Sequence, residues 1–249
     1  MPAKTNSLEP AAAPGGPAPD LHFPEELATI SWLQNAVRRG DPLPVTEAEA
    51  VAYSLHVALT RLGDGGMPQL PVHAMTEYVP AHAINVALLA MALADYVGLP
   101  HSDVRRIGVA GLLHDLGMVT VPVELLSKPD QLDADERELI KQHPVTGATL
   151  IVEAEASLQL AAVVAYEHHI RVDGSGYPQL RYPRKAHYVS RLVQLCDVYH
   201  ALSSPRPFRQ PWPHDIILSF ISSRAGAEFD PELARSLAEM LKVRTASST

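Results

Sequence analysis

At 249 residues, 47% of them apolar, the chain is long enough to bury a substantial core in one large domain, or in a domain with a small extension. Its 28 acidic residues outnumber 20 basic ones for a formal net charge of -8, which excludes the global cationic field used in binding a nucleic-acid polymer. One cysteine, Cys196, excludes an internal disulfide framework, and no stretch reaches the roughly 18 uninterrupted apolar residues of a membrane span, so a cytoplasmic setting without membrane is expected.

Residues 1–23 are rich in Ala, Pro and Gly and hold few large apolar side chains, too few to offset the entropy of ordering. They are expected to be a disordered tail. Over 24–76 a small N-terminal helical extension is predicted: Leu27, Ile30, Trp32 and Leu33, then Val51, Leu55 and Leu59, are spaced helically on either side of a turn from Gly40 to Pro44. From Pro80, AHAINVALLAMALADYVG is apolar almost all round and closed by Gly98 and Pro100, the pattern of a buried helix. SDVRRIGVAGLLHDLGM predicts the next, with Ser102 or Asp103 as its cap. LDADERELIKQH carries Asp133 three residues before Glu136, a variant capping box. LQLAAVVAYEHH and VSRLVQLCDVYHALSS continue the series, the latter stopped by Pro205, and ILSFISSRAG and PELARSLAEMLKV complete it. Alternating β-branched segments are almost absent, so the predicted fold is all-α. Glycine and proline gather in two basic loops, VDGSGYPQLRYP and SSPRPFRQPWP, placed just after histidine- or aspartate-bearing helices.

Twelve histidines stand against four phenylalanines and two tryptophans, and histidine is the commonest metal ligand. In LLHDLG, His114 and Asp115 sit in an apolar helical pattern that offers neither of them solvent. A buried carboxylate is costly without a partner, and a divalent cation or a hydrogen-bonded core pair would each supply one. In EHHIRVDGSGYP, His168 and His169 lie about 100° apart around a helix, so both face one cluster only if the helix end points at it. His82 on the alanine-rich helix, His143 at the end of its own helix before Pro144, and Asp197 in another apolar helix complete the set. Five histidines and two aspartates on separate buried helices are satisfied together by one polar centre. Nitrogen and carboxylate donors without thiolate suit iron, manganese, zinc or nickel, and paired ions would activate water and clamp the oxygens of a phosphoryl displacement.

The segments EYVPAHAINVA, LLHDLG, VPVELLSKPDQL, KQHPVTGA, EHHIRVDGSGYP and DVYHALSSPRPFR together resemble the HD-GYP domain, a subgroup of the HD phosphohydrolase superfamily, over roughly 77–243. The resemblance implies an HD-domain helical bundle there. It further implies a bacterial, binuclear metal-dependent phosphodiesterase in which a metal-bridging hydroxide attacks the phosphorus of a cyclic dinucleotide, chiefly cyclic di-GMP. By position, His82, His114, Asp115 and Asp197 match the family's first metal site. Asp115, as bridge, with His143, His168 and His169 matches the second, and His114 and Asp115 thereby form the catalytic pair. Two divalent ions are implied, iron or manganese first, with zinc or nickel as alternatives. Tyr177, Arg206 and Arg209 match substrate-binding positions.

The chain departs from the family pattern at several places. Met118 replaces a lysine that approaches substrate phosphate, removing a charge-assisted contact worth about 1.5–3 kcal/mol. Ile170 replaces the glutamate after the paired histidines, and His200 replaces the second aspartate of a DxxD pattern. Tyr78 stands where some members carry a glutamate for a third metal, so two ions are expected and not three. These changes predict an enzyme of altered or weaker substrate selectivity, with Met118 and His200 among the residues facing substrate. Two alternatives stay open: a catalytically silent signalling module that meets protein partners through the GYP loop, and a phosphohydrolase of another nucleotide. A homodimer is compatible with either. Fewer than about 80 residues precede the domain, below the usual domain size, so regulation is expected from elsewhere.

Overall fold

The structure, a computed structural model, describes residues 23–63, 78–126, 128, 130–205 and 209–246. Among these the chain forms α1 (Pro24–Arg38), α2 (Val45–Leu62), α3 (Tyr78–Tyr96), α4 (His101–Leu113), α5 (Val123–Leu126), α6 (Ala134–Ile140), α7 (His143–Ala154), α8 (Gln159–Glu167), α9 (Tyr188–Ser203), α10 (His214–Ser223) and α11 (Pro231–Ala246). No strand occurs among the described residues, where two isolated bridges pair Ile170 with Gly176 and Ala225 with Phe229. The fold is all-α, as the periodicity predicts.

α3 is the centre of the bundle because its sequence leaves no polar face: every residue from Pro80 to Ala94 is buried. It packs against α1, α2, α4, α9 and α11. Leu88, Leu89, Met91 and Leu93 are fully buried, and each stabilises the fold by about 1.5–3 kcal/mol relative to exposure. α3 is long and apolar enough to cross a membrane by length and composition, yet 89% of that window is buried inside the bundle. The bundle therefore already accounts for its hydropathy. Ile30, Leu33, Val51 and Leu55 of α1 and α2 join the same hydrophobic cluster as α3, whereas Trp32 falls on the outer face of α1 and is exposed.

Several local features differ from the sequence expectations. The tail and residues 64–77 lie outside the described residues, except that Phe23, expected as the last tail residue, is buried and its carbonyl accepts from Leu27 N at 2.9 Å. α4 begins at His101 after Pro100, and neither Ser102 nor Asp103 caps it. α6 does carry the capping box: Glu136 N donates to Asp133 Oδ1 at 2.9 Å, and Asp133 N donates to Glu136 Oε2 at 2.8 Å. HPVTGATLIVEA, which no predicted helix covers, forms α7 despite its Val, Thr and Ile content, because packing against α8 overrides a weak intrinsic propensity.

Beyond α4 the chain passes through His114 and Asp115 into a 3-10 turn, Leu116–Thr120, that lies directly on α7. The approach is close enough that a Cβ on Gly117 would stand 2.0 Å from the His143 carbonyl oxygen and 2.7 Å from Gly147 N. Only a residue without a side chain permits it. Gly117→Ala is expected to lower stability by about 1–3 kcal/mol, the scale of overpacking, and to displace Asp115 from His143. Thermal unfolding together with metal content measures both effects.

Candidate metal centre

The site forms where helices end, not where they run. α4 stops at Leu113, so His114 takes the helix C-cap and Asp115 follows in a non-helical conformation. α8 stops at Glu167, with His168 as its C-cap and His169 just beyond. This places the paired histidines at a helix end, the condition under which both reach one cluster. His143 opens α7 instead of closing its own helix, because α6 already ends at Ile140. Only His82, in α3, and Asp197, in α9, are delivered from helix interiors. The carboxyl ends of α4 and α8 thus abut the site, and the partial negative charge of helix C-termini favours a cation there.

Two groups result. His82, His114 and Asp197 bring ligand atoms within 4.8 Å of one another, as do Asp115, His143, His168 and His169. Asp115 joins the groups through separate oxygens. Its Oδ2 lies 3.4 Å from His114 Nε2 and 4.0 Å from His82 Nε2, while its Oδ1 lies 3.2 Å from His143 Nε2 and 3.4 Å from His168 Nε2.

The proton positions of three histidines follow from their partners. Nδ1 of His114 lies 2.7 Å from the Gly111 carbonyl, that of His143 2.7 Å from Ile140, and that of His168 2.9 Å from Ala165. A carbonyl only accepts, so each Nδ1 carries a proton and each ring turns its Nε2 inward as the atom left to ligate. His143 Nε2 and His168 Nε2 then face each other at 3.3 Å, two acceptors with nothing to share unless a proton or a cation lies between them. His114 Nε2 and Asp115 Oδ1 are buried without a hydrogen bond among the described residues. Such orphaned, converging donors fit a pair of divalent cations. Imidazole-rich N/O donors of this kind suit first-row transition ions better than calcium or magnesium, which favour oxygen ligands.

Electrostatics agree with that fit. Burial alone would lower His114, but the neighbouring Asp115 charge and contact, with Asp197 and the Gly111 carbonyl, raise it to about 9. Against the cost of its own burial, Asp115 is held well below the usual carboxylate range by His114, His143 and His168. Asp197 likewise overcomes burial and stays low, through His82 and then His114. Burial depresses His168, and it depresses His169 well below normal with help from the charge of His168. The cluster therefore holds two ionised carboxylates beside a protonated His114, with His168 and His169 kept neutral and ready to ligate.

The residues expected at the substrate are placed less uniformly. Tyr177 stacks on His169 with ring centroids 4.6 Å apart and meets His143 edge-on at 6.3 Å. Gly176, at φ +92, makes this possible: a Cβ there would sit 2.1 Å from the His169 carbonyl oxygen. Met118 lies part-buried in the turn after Asp115. His200 is buried and contacts His82, so it backs a ligand where substrate exposure was expected. Arg209 donates to the Ala201 carbonyl at 2.5 Å and lies over the Trp212 ring. Arg206 lies outside the described residues.

Glu167 was not foreseen. It is buried one residue before the paired histidines, and its Oε2 accepts from His187 N at 2.7 Å and Ser190 Oγ at 2.9 Å, while Arg184 pairs with Oε1. This fastens the far end of the GYP loop to the helix that delivers His168. An acidic residue inside the apolar run VVAYEHH was the available signal.

Asp115→Asn removes the charge that both groups share. It is expected to weaken metal binding at both, by more than the roughly 10–100-fold that loss of an outer-shell partner costs, as read by metal analysis after dialysis. Below about pH 9 the metal-free centre keeps a proton on His114, which an entering cation must displace. Apparent affinity is therefore expected to rise with pH up to that value and then level off. Calorimetry in buffers of different ionisation enthalpy reads the released proton; binding without proton release below pH 8 contradicts this picture.

A sequence-family model described as "HD domain" matches residues 66–233. A cyclic di-GMP phosphodiesterase of Pseudomonas aeruginosa is 29% identical over 247 residues, covering 94% of this chain and 59% of that protein. A 3'3'-cGAMP-specific phosphodiesterase of Vibrio cholerae is 33% identical over 169 residues, covering 68% of this chain and 32% of that protein. The chain thus spans less than two thirds of the length of these curated relatives. An HDG"Y"P protein from Bdellovibrio bacteriovorus superposes with a TM-score of 0.65 at 16% identity, over 88% of this chain and 69% of that one, and so shares the fold. With the histidine–aspartate groups and the GYP loop in place, the chain belongs to the HD domain family, in its HD-GYP branch.

Proposed function

We propose that the chain is a metal-dependent phosphodiesterase acting on a bacterial cyclic dinucleotide, with cyclic di-GMP as first candidate and 3'3'-cGAMP as second. The observation that carries the reading is Asp115, whose two oxygens face two separate histidine groups. The curated relatives, named as phosphodiesterases of these two dinucleotides, supply the substrate class.

In this reading His82, His114, Asp115 and Asp197 would hold one divalent ion, and Asp115, His143, His168 and His169 the other. Iron or manganese is the expected pair. Bound there, the ions would supply Lewis acidity and a water of lowered pKa beside a phosphodiester. The chain's own residues do the remaining work. Carbonyls of Gly111, Ile140 and Ala165 hold three imidazoles in the ligating tautomer, so no reorganisation is needed when substrate arrives. Tyr177 forms a wall of the centre against His169 and His143. In the loop 171–187, Arg171 pairs with Glu228 and Arg184 with Glu167, while Arg181 and Lys185 add positive charge for an anionic ligand on a protein that is acidic as a whole. We place the catalytic unit at 77–243 with 24–76 as its extension, in the cytoplasm, where the lone buried Cys196 stays reduced.

A catalytically silent module is the competing reading, and Met118 favours it, since no cation stands next to the centre at that turn. One experiment separates the two. Protein loaded with manganese or ferrous iron is expected to hydrolyse cyclic di-GMP, with 3'3'-cGAMP assayed beside it and products resolved by chromatography. Full metal content without turnover of any cyclic dinucleotide defeats the enzyme reading. Met118→Lys is expected to lower KM about tenfold or more by restoring a charged contact to phosphate; an unchanged KM removes that explanation of weak selectivity.

A further inference from the structure

The histidines of the centre are not all fixed alike. His114, His143 and His168 each tie Nδ1 to a main-chain carbonyl, which can only accept. For His82 the partner of Nδ1 is instead Nδ1 of His200, at 2.7 Å. Both atoms can donate or accept, so this contact has two solutions. In the first, His82 Nδ1–H donates to His200, whose proton lies on Nε2 and reaches Ser204 Oγ at 3.0 Å. His82 then turns its Nε2 lone pair toward Asp115 and Asp197. In the second, His200 Nδ1–H donates to His82, and the His82 proton moves to Nε2, where Asp197 Oδ1 accepts it at 3.0 Å. That arrangement fills the position a cation would use.

We infer that His200 and Ser204 are positioning residues that select the ligating tautomer of His82, making the His82–His114–Asp197 group the conditional half of the metal centre. The inference rests on the reading of His82 as a metal ligand. Asp197 and His200 lie one turn apart on α9 and Ser204 is the residue that ends it, so this one helix and its cap carry both a ligand and the device that orients the ligand opposite it. All of these groups are buried apart from a small part of Asp197, and water does not replace the His200 contact cheaply.

The test uses the full chain and manganese alone, titrated by calorimetry, with the His82 tautomer read by nitrogen–proton correlation NMR in zinc-loaded and metal-free protein. His200→Glu offers His82 an acceptor and no donor, which enforces the ligating tautomer. His200→Lys offers only a donor, which enforces the closed one. The second manganese equivalent is expected to bind at least as tightly as wild type in the Glu variant and at least tenfold more weakly in the Lys variant, with the first equivalent unchanged in both. NMR is expected to find His82 protonated on Nδ1 when loaded. Ser204→Ala, which leaves the His82 contact itself intact, is expected to weaken the second equivalent severalfold and keeps the test open should the Lys variant not fold. Equal second-site affinity across folded variants, or losses at both equivalents that follow thermal stability, overturns the inference. If wild type itself binds no second equivalent, the two-ion reading falls with it, whereas a flat variant series on a two-ion wild type removes only the tautomer role.

Discussion

A single buried carboxylate organises this molecule. Asp115 lies in an apolar bundle, yet it is held ionised, and an ionised carboxylate so placed is stable only if positive charge meets it from close by. Four imidazole nitrogens approach its two oxygens between 3.2 and 4.0 Å, and none does so as a hydrogen bond that closes the account for both partners. What remains is a centre with too many lone pairs and too few protons. A divalent cation at each group would resolve that imbalance, and the packing around it holds the side chains in place.

The arrangement works through element ends. α4 and α8 stop short, so that the residues immediately after them curl inward, and the freed carbonyls of their last turns fix the imidazoles that follow. The same feature that ends the helix therefore sets the tautomer of the ligand. Gly117 brings the Asp115 turn onto α7, and Gly176 brings the GYP loop onto His169, in both cases through contacts that a side chain would block. Glu167 then fastens the far end of that loop, and the start of α9, to α8. Rigid packing around α3 supplies the precision, because close-packed helices transmit position and do not absorb displacement.

Against this well-supported centre, the rim is the variable part. Met118 and Ile170 replace charged groups of the family pattern without disturbing a single member of the two histidine–aspartate groups. Ile170 is buried and bridged to Gly176, so its exchange for a glutamate removes polarity and keeps the loop's shape. His200 is a different kind of change, since it is buried against His82. Family membership thus goes with the histidine–aspartate groups, while the departures from the family pattern at Met118 and Ile170 lie beside them.

Much of this was legible in the residues alone. An apolar stretch without a polar face could only be the central helix, the capping box announced α6, and acids and histidines stranded in apolar runs pointed to one shared polar centre. Those features are local, and each follows from composition and spacing over a few turns. α7 was not legible, because its β-branched residues argue weakly against a helix until α8 covers them. Nor was the placement of His143 at a helix start, the role of Glu167, or the contact between His82 and His200, 118 positions apart. The sequence determined which side chains needed a partner; tertiary structure decided which partner each received, because a buried hydrogen bond or ion pair depends on distances of a few ångströms between segments that no periodicity relates.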